Sequence, residues 1–176
     1  MKTRKLFLIL IIVVILLVGT VLVASAAKNR IRVTGGFNNT FFGMGWEWIN
    51  VNILLDPDTF EAEGNAKYSV YEDAYGRNLK FGWRGEVVCA SMGELDGMPT
   101  VAVVIEIVET KMDPSWVGKF AKTTMTDGGQ NASEDWLGIA VWDFVNNTPV
   151  DYQPTCEFTA PLVMYPSQNG NLTIHD

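Results

Sequence analysis

The sequence holds a single histidine, His175, and only two cysteines, Cys89 and Cys156. That scarcity removes whole classes of chemistry. Ser–His–Asp and Cys–His mechanisms need a histidine held about 3 Å from a nucleophile or an orienting group. His175 lies beside Asp176 in "GNLTIHD", and adjacent strand residues point to opposite faces. We read it as a residue on the polar face of a closing strand, with Leu172 and Ile174 on the other face. A zinc site built from His and Cys lacks enough ligands. The G-x-S-x-G, H-E-x-x-H, C-x-x-C, Walker A and dinucleotide-binding glycine patterns are all missing. No catalytic residue, metal or cofactor is expected.

Positive charge is also scarce. Three of the 13 Lys and Arg (Lys2, Arg4 and Lys5) lie in the first 27 residues, whereas all 20 Asp and Glu follow, so residues 28–176 carry a formal charge of −10. Such a surface repels phosphate backbones and anionic lipid, which argues against a nucleic-acid partner or a basic membrane patch. The first 27 residues have the pattern of an export signal: a basic start, an apolar run and Ala24-Ser25-Ala26. The run spans residues 6–23, longer than a typical signal core of about 7–15 residues. At about 1.5 Å per residue it nearly crosses a bilayer core of about 30 Å. Two outcomes stay open, a cleaved signal peptide or an uncleaved N-terminal anchor helix that is the sole membrane contact. Both place residues 28–176 outside the cytoplasm as a single exported domain, secreted or held at the outer face of the membrane. In an oxidising exterior Cys89 and Cys156 are expected to pair, the alternative being two buried thiols.

No window shows a convincing helical stripe, apart from a short candidate at "PSWVGKFAKT" (114–123). Period-two alternation dominates instead. In "LKFGWRGEVVCA" it puts Leu79, Phe81, Trp83, Val87 and Cys89 on one face, and in "TVAVVIEIVET" it aligns Val101, Val103, Ile105 and Ile107. The segments 46–56, 65–73 and 136–145 also read as strands, with weaker ones at 30–34, 156–161 and the final residues. "MGELDGMP" and "AYGRN" read as connections, and the glycine-rich "TGGFNNTFFGMG" as a loop. The expected fold is an all-β antiparallel barrel or sandwich of about 7–9 strands.

The motifs "RVTGGF", "GNAKYSV", "WRGEVVCA", "VWDFVNN", "TCEF" and "GNLTIHD" occur in this order. The series resembles small exported β-domains of the post-COAP type, which open on T-G-G and close on G-N-x-x-x-H. The resemblance implies a barrel-like exported domain and no particular activity. Phe37 stands where that pattern has a third glycine, and Asp143 is followed by Phe144-Val145 instead of Asn-Gly.

Two groups of side chains remain as candidates. Asp56, Asp58, Glu61 and Glu63 offer oxygen ligands, but Phe60 interrupts the spacing of a calcium loop, which leaves a solvated turn as the simpler reading. Tryptophan is abundant, and Trp46, Glu47, Trp48, Trp136, Trp142 and Asp143 set rings beside carboxylates. That composition suits a ligand-binding surface for a glycan, small ligand or surface-protein partner, while strand parity equally allows these rings to fill a core. The expected function is a non-catalytic exported module with a binding or structural role. The alternative is a carbohydrate-binding domain or a glycoside hydrolase working through paired carboxylates.

Overall fold

The computed structural model describes residues 30–40, 45–73, 77–129, 135–143 and 148–175. The expected signal or anchor lies outside these residues, as does part of the "AYGRN" turn. Among the described residues no helix is long and apolar enough to cross a membrane.

Among the described residues, nine antiparallel strands form one sheet: β1 (Ile31–Thr40), β2 (Trp46–Leu55), β3 (Ala62–Tyr71), β4 (Leu79–Leu95), β5 (Met98–Thr110), β6 (Phe120–Thr126), β7 (Trp136–Val141), β8 (Val163–Pro166) and β9 (Asn169–His175). The spatial order is β8-β7-β6-β5-β4-β3-β2-β1-β9. The two edge strands, β8 and β9, are thus consecutive in the chain and joined by Ser167 and Gln168 alone. The sheet must curl until its edges nearly meet, which gives a barrel-like fold. Most of its apolar residues then face one interior. Val33, Ile53, Leu55, Ala90, Val101, Val103, Met125 and Leu172 pack there. The register places these residues towards one end of the strands.

β8 and β9 do not form a ladder with each other. The seam is closed by other groups. The outward-facing amides of β9 donate to two carboxylates: Leu172 N–H to Asp135 Oδ2 at 2.7 Å and Ile174 N–H to Asp127 Oδ2 at 2.9 Å. Ser167 N–H donates to the Asp135 carbonyl at 2.8 Å, and Asn39 Nδ2 to the Pro166 carbonyl at 3.0 Å. Asp135 is fully buried. It stands in for the missing strand partner, so the edge amides are not left unpaired.

The outer face is covered in part by the segment 150–162. The Cys89–Cys156 disulfide fastens it to β4. Lys122, on β6 and 1% exposed, donates from Nζ to the Thr155 carbonyl (2.8 Å), the Glu157 carbonyl (2.6 Å) and Thr159 Oγ1 (2.9 Å). Three acceptors match the three donors of an ammonium. Burial pulls the Lys122 pKa below the usual lysine range, and the Glu157 charge opposes it. The Phe158 ring lies so close over Gly93 that a Cβ there would sit 2.3 Å from it. This strap explains why Val101 to Ile105 are buried on both faces of the sheet.

Several expectations from sequence are corrected. A bulge between Val87 and Cys89 shifts β4 by one residue against β5, which turns Cys89 to the face opposite Val87 and under the strap. The glycine-rich stretch is not all loop. It forms the second half of β1, where Gly35, at φ 142°, lets the β9 backbone approach to a distance no side chain allows. "MGELDGMP" is almost entirely strand, with only Asp96-Gly97 turning at φ 50° and 80°, the hallmark of a tight I′ hairpin. The short helix shrinks to one 3₁₀ turn, Pro114–Trp116, followed by β6. Residues 156–161 belong to the strap, not to a strand.

Candidate functional site

The interior is not filled along its whole length. Towards the end of the barrel where β2, β4 and β6 begin and β3, β5 and β7 finish, the side chains line a partly open cavity of about 440 Å³. Strand parity selects its walls. Glu47, Ile49 and Val51 of β2 point inward, as do Ala66 and Tyr68 of β3, Phe81 and Trp83 of β4, and Ala121 and Thr123 of β6. Tyr68 and Trp83 face each other across the β3–β4 ladder and stack, centroids 5.7 Å apart. Trp116 from the 3₁₀ turn and Trp142, the residue after β7, meet edge to face at 5.6 Å and also border the space. The turn that delivers Trp116 is set by Asp113, whose carboxylate accepts the Ser115 N–H at 2.9 Å. That bond holds the Asp113 pKa below its ordinary value.

Glu47 is the chemically distinctive group. It is 9% exposed on a largely apolar and aromatic wall, and its Oε2 accepts the Tyr68 hydroxyl at 3.2 Å. Burial raises its pKa from 4.5 to about 7, against the opposing effect of the Tyr68 hydrogen bond. The Tyr68 phenol is pushed far above its ordinary value by burial first, and then by the charge and hydrogen bond of Glu47. Tyr165, on β8, is raised by burial and by Glu47 as well. Lys122 borders the cavity, yet its ammonium is committed to the strap. Among the described residues, no cation is paired with Glu47.

The six ring and carboxylate candidates from sequence divide between the two faces of the sheet. Glu47 and Trp142 line the cavity together. Trp46 and Trp48 flank Glu47 in sequence, and the pleat therefore turns them to the outer face. There Trp48 packs edge to face on Tyr71, its indole N–H buried without a hydrogen-bond partner. Trp136 lies on the outer face too, one residue before the inward Leu137. Asp143 pairs backbone to backbone with Thr148 and does not line the cavity. Tyr68, Trp116 and Tyr165 were not singled out from sequence, and Phe81 and Trp83 were read only as part of the apolar face of β4. Tyr68 was nevertheless legible, since it shares parity with Ala66 while Lys67 faces solvent.

Glu47 is the single carboxylate among the described lining residues, so the pair that glycoside hydrolysis needs is not assembled there. The acidic turn after β2 is also accounted for: Asp56 Oδ1 accepts the Asp58 and Thr59 amides at 2.9 and 3.2 Å. No group of three or more His, Cys, Asp or Glu converges among the described residues. His175 is exposed on β9, opposite Arg32.

No family model matches the chain, and neither a search of curated proteins nor one of solved structures finds a match.

Proposed function

We propose that this protein is an exported, non-catalytic binding module that holds a small, largely apolar molecule inside its barrel. The observation that carries the reading is the cavity itself, about 440 Å³ and walled by aromatic and aliphatic side chains around one buried carboxyl. Its size and make-up fall in the ordinary range of small-ligand sites, which are mostly apolar with a few orienting polar groups. Antiparallel barrels of about this strand number are known to enclose one small ligand. A purely structural barrel gains nothing from a desolvated carboxyl on a cavity wall, since burying such a group lowers stability. The lining also favours an apolar occupant over a glycan. A sugar presents a hydroxyl on nearly every carbon, and the wall offers Glu47, Thr40, Thr123, Tyr68 and Tyr165 to meet them.

The disulfide supports export, because such bonds persist in oxidising compartments. The motif resemblance to post-COAP-type domains points the same way.

Titration of the full chain with N-phenyl-1-naphthylamine, an uncharged fluorescent apolar probe, tests the reading. Saturable one-to-one binding is expected, and Ala121→Phe, which fills the cavity from its wall, is expected to abolish it while the protein stays folded. Binding that survives Ala121→Phe unchanged would place the probe elsewhere and remove the proposal.

A further inference from the structure

The cavity joins three features that a neutral apolar ligand leaves unexplained. Glu47 is the only charged group among its described walls that is not committed elsewhere, because the Lys122 ammonium is turned into the strap. Its carboxyl receives a single hydrogen bond, from Tyr68, and is 9% exposed. A buried carboxylate has more acceptor sites than one hydroxyl fills. Tyr68 and Tyr165 face it, and Phe81, Trp83, Trp116 and Trp142 line the same cavity. Faces of aromatic rings attract cations, and boxes of such rings with a carboxylate hold organic ammonium groups.

Resting on the binding reading above, we infer that the ligand is a hydrophobic organic cation, an amine or ammonium with an apolar body, whose positive centre pairs with Glu47. The apolar body occupies the space beside Ile49, Val51 and Leu137. The ligand then supplies the counter-charge that the fold withholds. The cation stabilises the ionised carboxylate and the carboxylate selects the cation, so each raises the affinity of the other for the site.

The same arrangement makes capture dependent on pH. Burial raises the Glu47 pKa to about 7, and it is the ionised form that attracts the cation. Of the groups facing it, Tyr68 and Tyr165 stay neutral throughout the neutral range, their pKa values both being raised. Affinity is therefore high at pH 8 and falls below pH 6.

The test uses the full chain and a matched pair of probes, phenethyltrimethylammonium and its uncharged carbon isostere, (3,3-dimethylbutyl)benzene, followed by tryptophan fluorescence. The quaternary centre carries no titratable proton, so any pH effect belongs to the protein. At pH 8 the cation is expected to bind at least about tenfold tighter than the isostere, the discrimination that one desolvated charge contact supplies. That preference is expected to collapse at pH 5.5 and in Glu47→Gln, which keeps the shape and removes the charge. Equal binding of both probes, unaffected by Glu47→Gln, would overturn the cation inference and leave the apolar cavity reading standing. Failure of both probes to bind, with N-phenyl-1-naphthylamine also failing, would overturn both. Retained discrimination in Glu47→Gln would assign selectivity to the rings alone and remove Glu47 from the role given to it.

Discussion

At the scale of the residue, burying Glu47 has a cost that depends on pH. An acid whose pKa is higher in the fold than in the unfolded chain binds its proton more tightly when folded. The stability from that proton is fully present below about 4.5 and is lost as the pH rises through about 7. The difference between these values corresponds to roughly 3 kcal/mol. Glu47→Gln is neutral at every pH and can still accept the Tyr68 hydroxyl. Urea unfolding is expected to show the variant gaining about 2–3 kcal/mol over the parent at pH 8 and little at pH 5. Parallel pH profiles for the two proteins would mean that Glu47 is not desolvated as described. The sequence displayed Glu47 beside two tryptophans, and the three residues alone do not say which faces inward. That depends on which parity is buried, and in "WEWINVNILL" the apolar set Ile49, Val51, Ile53 and Leu55 fixes it. The deciding signal lies C-terminal to the tryptophans, in residues with no ring or charge of their own.

At the scale of the element, the strap over β4, β5 and β6 acts through two fasteners of different kind. The disulfide constrains the unfolded chain over a sequence separation of 67, worth roughly 4 kcal/mol in the chain-entropy account. Lys122 acts in the folded state, by pinning two carbonyls and a hydroxyl. Lys122→Met is expected to cost about 2 kcal/mol, in the range for hydrogen bonds to a charged group. In a protein already lacking the disulfide through Cys89→Ser and Cys156→Ser, the strap is loose and the same substitution is expected to cost less. Denaturant melts of the four proteins in this cycle measure the coupling, and strict additivity would show that the fasteners hold separate structures. The strap also explains which strands were legible. β2, β3, β4 and β5 have one inward face of apolar residues, and alternation revealed them. β6 does not, because Lys122, Thr124 and Thr126 are buried under or beside covering chain although they are polar, so its pattern imitates a loop. β8, at four residues, is too short to show a period. The shift of Cys89 to the outer face arises from one bulged residue, a backbone event that side-chain periodicity does not record.

At the scale of the whole molecule, closure depends on carboxylates as much as on strand pairing. Asp135→Ala removes the acceptor of the Leu172 and Gly128 amides. Two unmet donors, one of them buried, are expected to lower stability by about 3 kcal/mol. The effect should be local before it is global: hydrogen exchange at Leu172 and Ile174 is expected to speed up by more than that of β4 and β5 amides. Uniform acceleration across the sheet would show that the seam is not an independent point of weakness. The all-β class was readable from sequence, a range of about 7–9 strands includes the nine among the described residues, and the expected pairing of Cys89 with Cys156 is found. The choice between one curled sheet and a two-sheet sandwich was left open, since nothing local announces that β9 returns to β1. The curling follows from the strand order alone.

That order has a bearing on how the molecule matures. β1 finds a partner in β2 as soon as both are made, but its other edge waits for β9, and Arg32 must meet His175. Until then the sheet is an open sheet with two bare edges, and Glu47 lies on a wall with no opposite side. Contacts between the first and last strands are the slowest that a chain makes. The site is therefore the final product of folding, not an early one. A chain halted before β9 is aggregation-prone and, by the same geometry, unable to desolvate Glu47, so ligand capture reports completed assembly of the barrel.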